Sequence, residues 1–268
     1  MTTTCQKHPI CQLGDRKRGR VKLSGIYRVR LGCRQGQRIW LVDGEQVGMH
    51  VYQNFIMGGN DQRYRYNPNG EVWIDNRIGI EELEYTIAHE LIERKLMRQW
   101  GWSYTKAHNH GLALEHKMRL ADEARARRHG AKTGIEGVYR AFFGKVHGLS
   151  VWIVDGPTVR KRKELDPDFC FGANDLASSF VPRGEIWLDS AMSVEQAYYT
   201  LLREVTERRL LAAGASTDEA DACAQVRQFD ERLRQARLRV AHEKALPPVH
   251  YGARARGVRL KSNKKEKR

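Results

Sequence analysis

No run of eighteen apolar residues occurs in this 268-residue chain, so the sequence offers no transmembrane helix. Its first twenty residues hold no apolar stretch of the kind a secretory signal needs. Cysteine is scarce and odd in number, five in all, which argues for reduced thiols and a cytoplasmic setting rather than a disulfide framework. The spacing Cys5, His8, Cys11 suggests a zinc knot, yet no C-x-x-C pair accompanies it and the next cysteine, Cys33, is distant. Cys170 and Cys223 stand in apolar surroundings and read as core. A glycine-rich phosphate loop and a Gly-x-Ser-x-Gly elbow are both missing, which removes the commonest phosphate cradle and the α/β-hydrolase nucleophile.

Acidic residues are also in deficit, 32 against 47 Lys and Arg, for a formal charge of +15. That excess is localised. Residues 252–268 carry +7 and residues 1–24 carry +5, leaving only +3 for everything between. Two flexible basic tails, 1–24 and 246–268, are therefore expected. Arg254, Arg256, Arg259, Lys261, Lys264 and Lys265 form a weak nucleic-acid-binding set. Such a tail touches phosphates without reading sequence. Solvated tails that aid solubility are the plainer alternative.

What is present is a repeat. IWLVDG (39–44) returns as VWIVDG (151–156), FIMGGND (55–61) as FCFGAND (169–175), and PNGEVWID (68–75) as PRGEIWLD (182–189). Residues 81–97 then match 195–211, and 103–120 match 216–233. A period near 113 residues is too long for a solenoid, so two tandem units are expected, 25–130 and 135–245. Each reads as α+β: a small antiparallel sheet followed by a helical hairpin. Short strands are expected at Ile26–Leu31, Arg38–Val42, Tyr64–Tyr66 and Glu71–Ile74, with further β-rich chain over Val47–Met57. Gly58 and Gly172 are expected to serve a positive φ in a tight turn.

The helical hairpin of the first unit holds the chemistry. Leu83, Ile87, Leu91 and Leu96 recur at helical spacing and face a core. His89 and Glu93 stand four apart, about 40° around the axis, on one face. After a turn at Gly101-Trp102-Ser103, where Trp100 and Trp102 read as a packing cap, a second helix runs to about Arg128 with Gly130 as its stop. It carries His108 and Glu115 two turns apart. Folding the hairpin at its turn brings His89, Glu93, His108 and Glu115 together as a metal-ligand set, with Glu90 beside it. Taken singly, Glu90 and Glu93 also suit helix-surface ion pairs with Arg94, Lys95 and Arg98, and His110 and His116 suit exposed positions. The second unit replaces His89 with Arg203, His108 with Asp221 and Glu115 with Gln228, while Glu90 and Glu93 persist as Glu204 and Glu207.

The stretch EVWIDNRIGIEELEYTIAHELIERKL resembles the core of zincin-type metallopeptidases, which join an edge strand to a helix bearing His-Glu-x-x-His. Glu71–Ile74 takes the place of the strand and Thr86–Leu91 that of the helix motif. The resemblance, about 30 residues long, implies a zinc ligand at His89 and a water-activating base at Glu90. It departs at the second His, replaced by Glu93. Zinc accepts a carboxylate oxygen there, and added carboxylates tilt the preference toward manganese or iron. The reading is a metal-dependent hydrolase of peptide bonds with a degenerate second unit. The alternatives are a non-catalytic protein that binds nucleic acid or protein, and a structural metal domain.

Overall fold

The computed structural model describes residues 20–21, 23, 25–246 and 249–250. Cys5, His8 and Cys11, and the basic set from Arg254 to Lys265, lie outside the described residues.

The first unit starts with β2 (Tyr27–Arg34) and β3 (Gln37–Val42), preceded by the short β1 (Arg20–Val21). Asp43 then caps α1 (Gly44–His50), its carboxylate accepting from the Gln46 amide at 3.0 Å. Two more strands, β4 (Gly58–Asn60) and β5 (Glu71–Asp75), lead to α2 (Leu83–Trp100) and α3 (Tyr104–Thr133). The sheet order is β2-β3-β5-β4. The second unit repeats it with β6 (Tyr139–Val146), β7 (Leu149–Val154), α4 (Gly156–Lys161), β8 (Gly172–Asn174), β9 (Glu185–Asp189), α5 (Val194–Ala212) and α6 (Thr217–Ala245), in the order β6-β7-β9-β8. The fold is thus α+β, with two four-stranded sheets each followed by a helical hairpin.

Several expectations are corrected. The sheets are mixed, not antiparallel: β3 pairs with β5 in parallel, Trp40 beside Trp73, and β7 with β9 likewise. The long connection through α1 and β4 permits that crossover, whereas a tight turn would not. Val47 belongs to α1, and Tyr64–Tyr66 lie in a turn. Gly58 has no positive φ; its neighbours Met57 and, in the repeat, Phe171 do, at 62° and 63°. Gly58 is needed for closeness instead, because a Cβ there would stand 3.0 Å from the Thr86 methyl and 3.2 Å from Glu90 Cγ. Helix α3 runs past Gly130 to Thr133, and Gly134 at φ 73° ends it. Cys170 and Cys223 are exposed, as is Trp100. Residues expected in the two tails take part in the fold: β1 pairs antiparallel with β10 (Val249–His250), and Leu246 packs on the first core.

Leu83, Ile87 and Leu91 of α2 pack on Val29, Ile39, Leu41, Val72 and Ile74, as their spacing requires. The second helix of each hairpin, however, reaches across to the other sheet. His242 of α6 stacks on Trp40 of the first unit at 4.7 Å, with its Nε2 2.8 Å from Glu71 but not aligned for a hydrogen bond. His129 of α3 stacks on Trp152 of the second unit at 4.4 Å and pairs with Glu185 at 2.6 Å. Both glutamates are buried, and each accepts from a Tyr and a Trp: Tyr27 and Trp73 for Glu71, Tyr139 and Trp187 for Glu185. Burial, and then the charge of Glu71, holds the Tyr27 phenol well above its usual range. The Gln235 side chain caps the amide of Arg30 on edge strand β2 at 3.0 Å.

Candidate metal centre

Helix α2 presents His89 and Glu93 toward α3, both buried. The two helices come close because α3 carries Gly111 opposite the imidazole. A Cβ there would sit 2.9 Å from three atoms of the His89 ring. Ser103 caps the start of α3 through the Lys106 amide, which sets its register so that His108 faces back.

His89 Nε2 lies 2.9 Å from His108 Nδ1 and 3.5 Å from Glu93 Oε2, and His108 Nδ1 lies 3.2 Å from the same Glu93 oxygen. Three ligand atoms therefore converge, and His89, Glu93 and His108 together are a group able to hold a metal ion. On the other side of its ring, His89 Nδ1 faces Glu115 Oε1 at 2.6 Å. With that nitrogen donating to Glu115, a neutral His89 turns the lone pair of Nε2 toward a carboxylate oxygen. Acceptor opposes acceptor there unless a proton on Nε2 or a metal cation lies between. The chemistry of the donor set thus fits a divalent metal. His108, with a side chain 36% exposed, forms the open side. Tyr104 stacks on its ring at 5.2 Å, and the Arg63 guanidinium covers Tyr104 at 3.6 Å.

All four expected ligands meet, but Glu115 meets His89 on the nitrogen that points away from the other two. That is the position a carboxylate would take behind the imidazole if His89 held a metal. Its second oxygen takes Arg119, which also grips Glu82 at 2.6 Å. Glu90 is neither a surface residue nor free. The Asn60 amide nitrogen donates to Glu90 Oε2 at 2.8 Å and to Glu93 Oε1 at 2.9 Å, tying both carboxylates to edge strand β4. Glu71–Ile74, expected as the edge strand, lies inside the sheet. Burial raises the Glu90 carboxyl to about 8, with the neighbouring Glu93 charge adding to it. Burial would lower His89, but its hydrogen bond to Glu93 and the charges of Glu90, Glu93 and Glu115 outweigh that and carry it up to about 8. Arg94 does not pair on the surface either: it is buried against Asp61 at 2.5 Å.

Asn60 and Gly111 were not singled out as site residues from the sequence. The signal for Asn60 lay in the repeat, where Asn174 donates to Glu204 at 3.0 Å and to Glu207 at 2.9 Å in the same way. The signal for Gly111 was a glycine in mid-helix, answered by Ala224 in the second unit. There Arg203 takes the place of His89. It pairs with Asp221 at 2.8 Å and approaches Glu204 at 3.6 Å, with about a third of its side chain exposed.

No protein-family profile, no curated protein and no solved structure matches the chain.

Proposed function

We propose that the first unit binds one divalent metal through His89, Glu93 and His108, and that the protein is a metal-dependent hydrolase. The observation that carries this is the convergence of His89 Nε2, His108 Nδ1 and Glu93 Oε2 within 2.9–3.5 Å of one another. Two imidazoles and one carboxylate make a three-ligand zinc set of the catalytic kind, which keeps a fourth position open; the same donors also suit iron(II). A metal held there would supply Lewis acidity toward a carbonyl and a bound water. Glu115 fixes the His89 tautomer and ring angle, so that Nε2 offers its lone pair inward. Glu90, next to the ligand face, is the candidate to accept the proton of the attacking water, as its counterpart does in the zincin-type peptidases that this helix resembles; the charge of a metal held beside it would favour the carboxylate form that this role needs. Arg63, over Tyr104 on the open side, is placed to meet a substrate carboxylate or carbonyl.

One observation favours a second reading, a structural metal site. The Asn-Glu-Glu arrangement around Glu90 recurs in the second unit, which has Arg203 instead of His89, so these contacts do not depend on the histidine ligand and Glu90 has a packing role that needs no catalysis. Glu90→Gln separates the two. Under the hydrolase reading it keeps the metal and loses cleavage of a denatured protein substrate. Under the structural reading no preparation loaded with zinc, manganese or iron cleaves, and metal removal lowers the melting temperature instead.

A further inference from the structure

The place that corresponds to the metal centre in the second unit opens into a cavity of about 520 Å³, lined by Arg203, Arg232, Gln196, Gln228, Phe171 and Phe229 among others. The two units can be read against each other here. In the first, Arg119 is neutralised by Glu82 and Glu115. At the same two positions the second unit carries Gln196 and Gln228. Its guanidinium, Arg232, makes no ion pair among the described residues and only covers the Tyr199 ring at 4.0 Å, just as Arg119 covers Tyr85 at 4.4 Å. Two carboxylate acceptors have thus become two amides, each with donors to offer, lining the same cavity as an exposed guanidinium that has no ion pair among the described residues, the charges of Glu195 and Glu231 lying in its neighbourhood. Behind them, Arg203 is already balanced by Asp221, and its Nε is buried with no hydrogen-bond partner.

Two phenyl rings complete the lining. Phe171 and Phe229 are 47% and 60% exposed, where the first unit has Met57 and His116. Both Phe171 and Met57 hold a positive φ, so the strained turn belongs to the fold and the ring is what distinguishes the second unit. One unpaired guanidinium, flanking amides and apolar walls suit a singly charged anion with an apolar body. A phosphate dianion would want a second free cation.

We propose that this cavity binds a carboxylate carrying an aromatic or bulky apolar group, its oxygens on Arg232 and the two glutamine amides, its body against Phe171 and Phe229. The proposal is independent of the metal reading, since it uses other residues and an anionic ligand. Two sources offer that chemistry, a small free acid and the C-terminus of a peptide.

The test titrates the full-length chain with phenylacetate and with N-acetyl-phenylalanine, followed by NMR or calorimetry, with 2-phenylethanol, acetate and inorganic phosphate as controls. One-to-one saturable binding of at least one acid is expected, with each control weaker by about tenfold or more, the worth of one charge-assisted hydrogen bond or a buried ring. Tighter binding of N-acetyl-phenylalanine assigns a peptide end; tighter binding of phenylacetate assigns a free acid. The double variant Gln196→Glu with Gln228→Glu installs the pairing that the first unit already accommodates, so it should fold and yet weaken the acid about tenfold or more. Arg232→Gln should do the same by removing the cation. No saturable binding of either acid, equal affinity in both variants, or phosphate binding more tightly than the acids would overturn the proposal.

Discussion

At Gly111 a hydrogen in place of a methyl decides how closely α3 approaches His89. Gly111→Ala gains about 1 kcal/mol of helix propensity. It also presses a Cβ to 2.9 Å from the imidazole, an overpacking cost of about 1–3 kcal/mol. The net expectation is a lower melting temperature together with weaker metal binding, measured by thermal unfolding with and without zinc. Ala224→Gly, its counterpart, should cost only about 1 kcal/mol and leave metal binding alone. Glu115→Gln should weaken metal affinity by about 10- to 100-fold with little change in fold, because it replaces the anionic acceptor behind His89 with a neutral amide that can turn either its oxygen or its NH2 to the ring. Glu204 gives the pH prediction. Burial raises it to about 7, above its ordinary carboxylate value, so the folded state holds the proton more tightly than the unfolded chain does. Its contribution is therefore fully present below the unfolded value and is lost as pH rises through 7. Glu204→Gln should stabilise the protein by about 1–3 kcal/mol at pH 8 and by little at pH 4, read from urea unfolding at the two pH values. A gain of equal size at both would contradict this.

Among the elements, the strand-to-helix tie is the repeated device: Asn60 to Glu90 and Glu93, Asn174 to Glu204 and Glu207, with Asp61–Arg94 and Asp175–Arg208 beside them. Asn60→Ala removes the donor that Glu90 and Glu93 share, leaving Glu93 only its histidine contacts, and should cost about 2–4 kcal/mol, measured by urea unfolding. Arg203→Ala leaves Glu204 without its cation, but a third of that side chain is exposed and Glu204 can take up a proton instead. The loss should be about 1–2 kcal/mol at pH 8 and smaller at pH 5. Much of this was legible in the sequence. The i, i+4 spacing of His89 and Glu93, and the hairpin register, put the four side chains together because helix geometry is regular. What stayed hidden depends on non-local contact. A three-residue strand such as Gly58–Asn60 has too few side chains to show a period. Which nitrogen of His89 meets Glu115 depends on a ring rotation that no spacing encodes.

Across the whole molecule the two units complete one another: α3 reaches the second sheet and α6 the first. Removing either histidine uncovers a buried tryptophan, and removing His129 also takes a hydrogen bond from the buried Glu185. His242→Ala or His129→Ala should therefore destabilise by about 2–4 kcal/mol, and the damage should not stay in one unit. A single calorimetric unfolding transition that shifts as a whole in either variant is the expected result. Two transitions, only one of them moving, would show that the units unfold independently. The tandem repeat announced two copies, but the crossing of their long helices could not be seen from the chain, since His129 and His242 sit in runs of charged residues that read as solvated helix.

The central claim is that His89, Glu93 and His108 hold one metal. The most direct measurement is zinc titration of the chelator-stripped full-length protein by calorimetry, wild type beside His89→Ala and beside His108→Ala. One zinc per chain is expected, at a site that both variants lose, with wild type alone gaining thermal stability from zinc. A wild-type protein that takes up no metal, or variants that bind zinc as tightly as wild type, would contradict it.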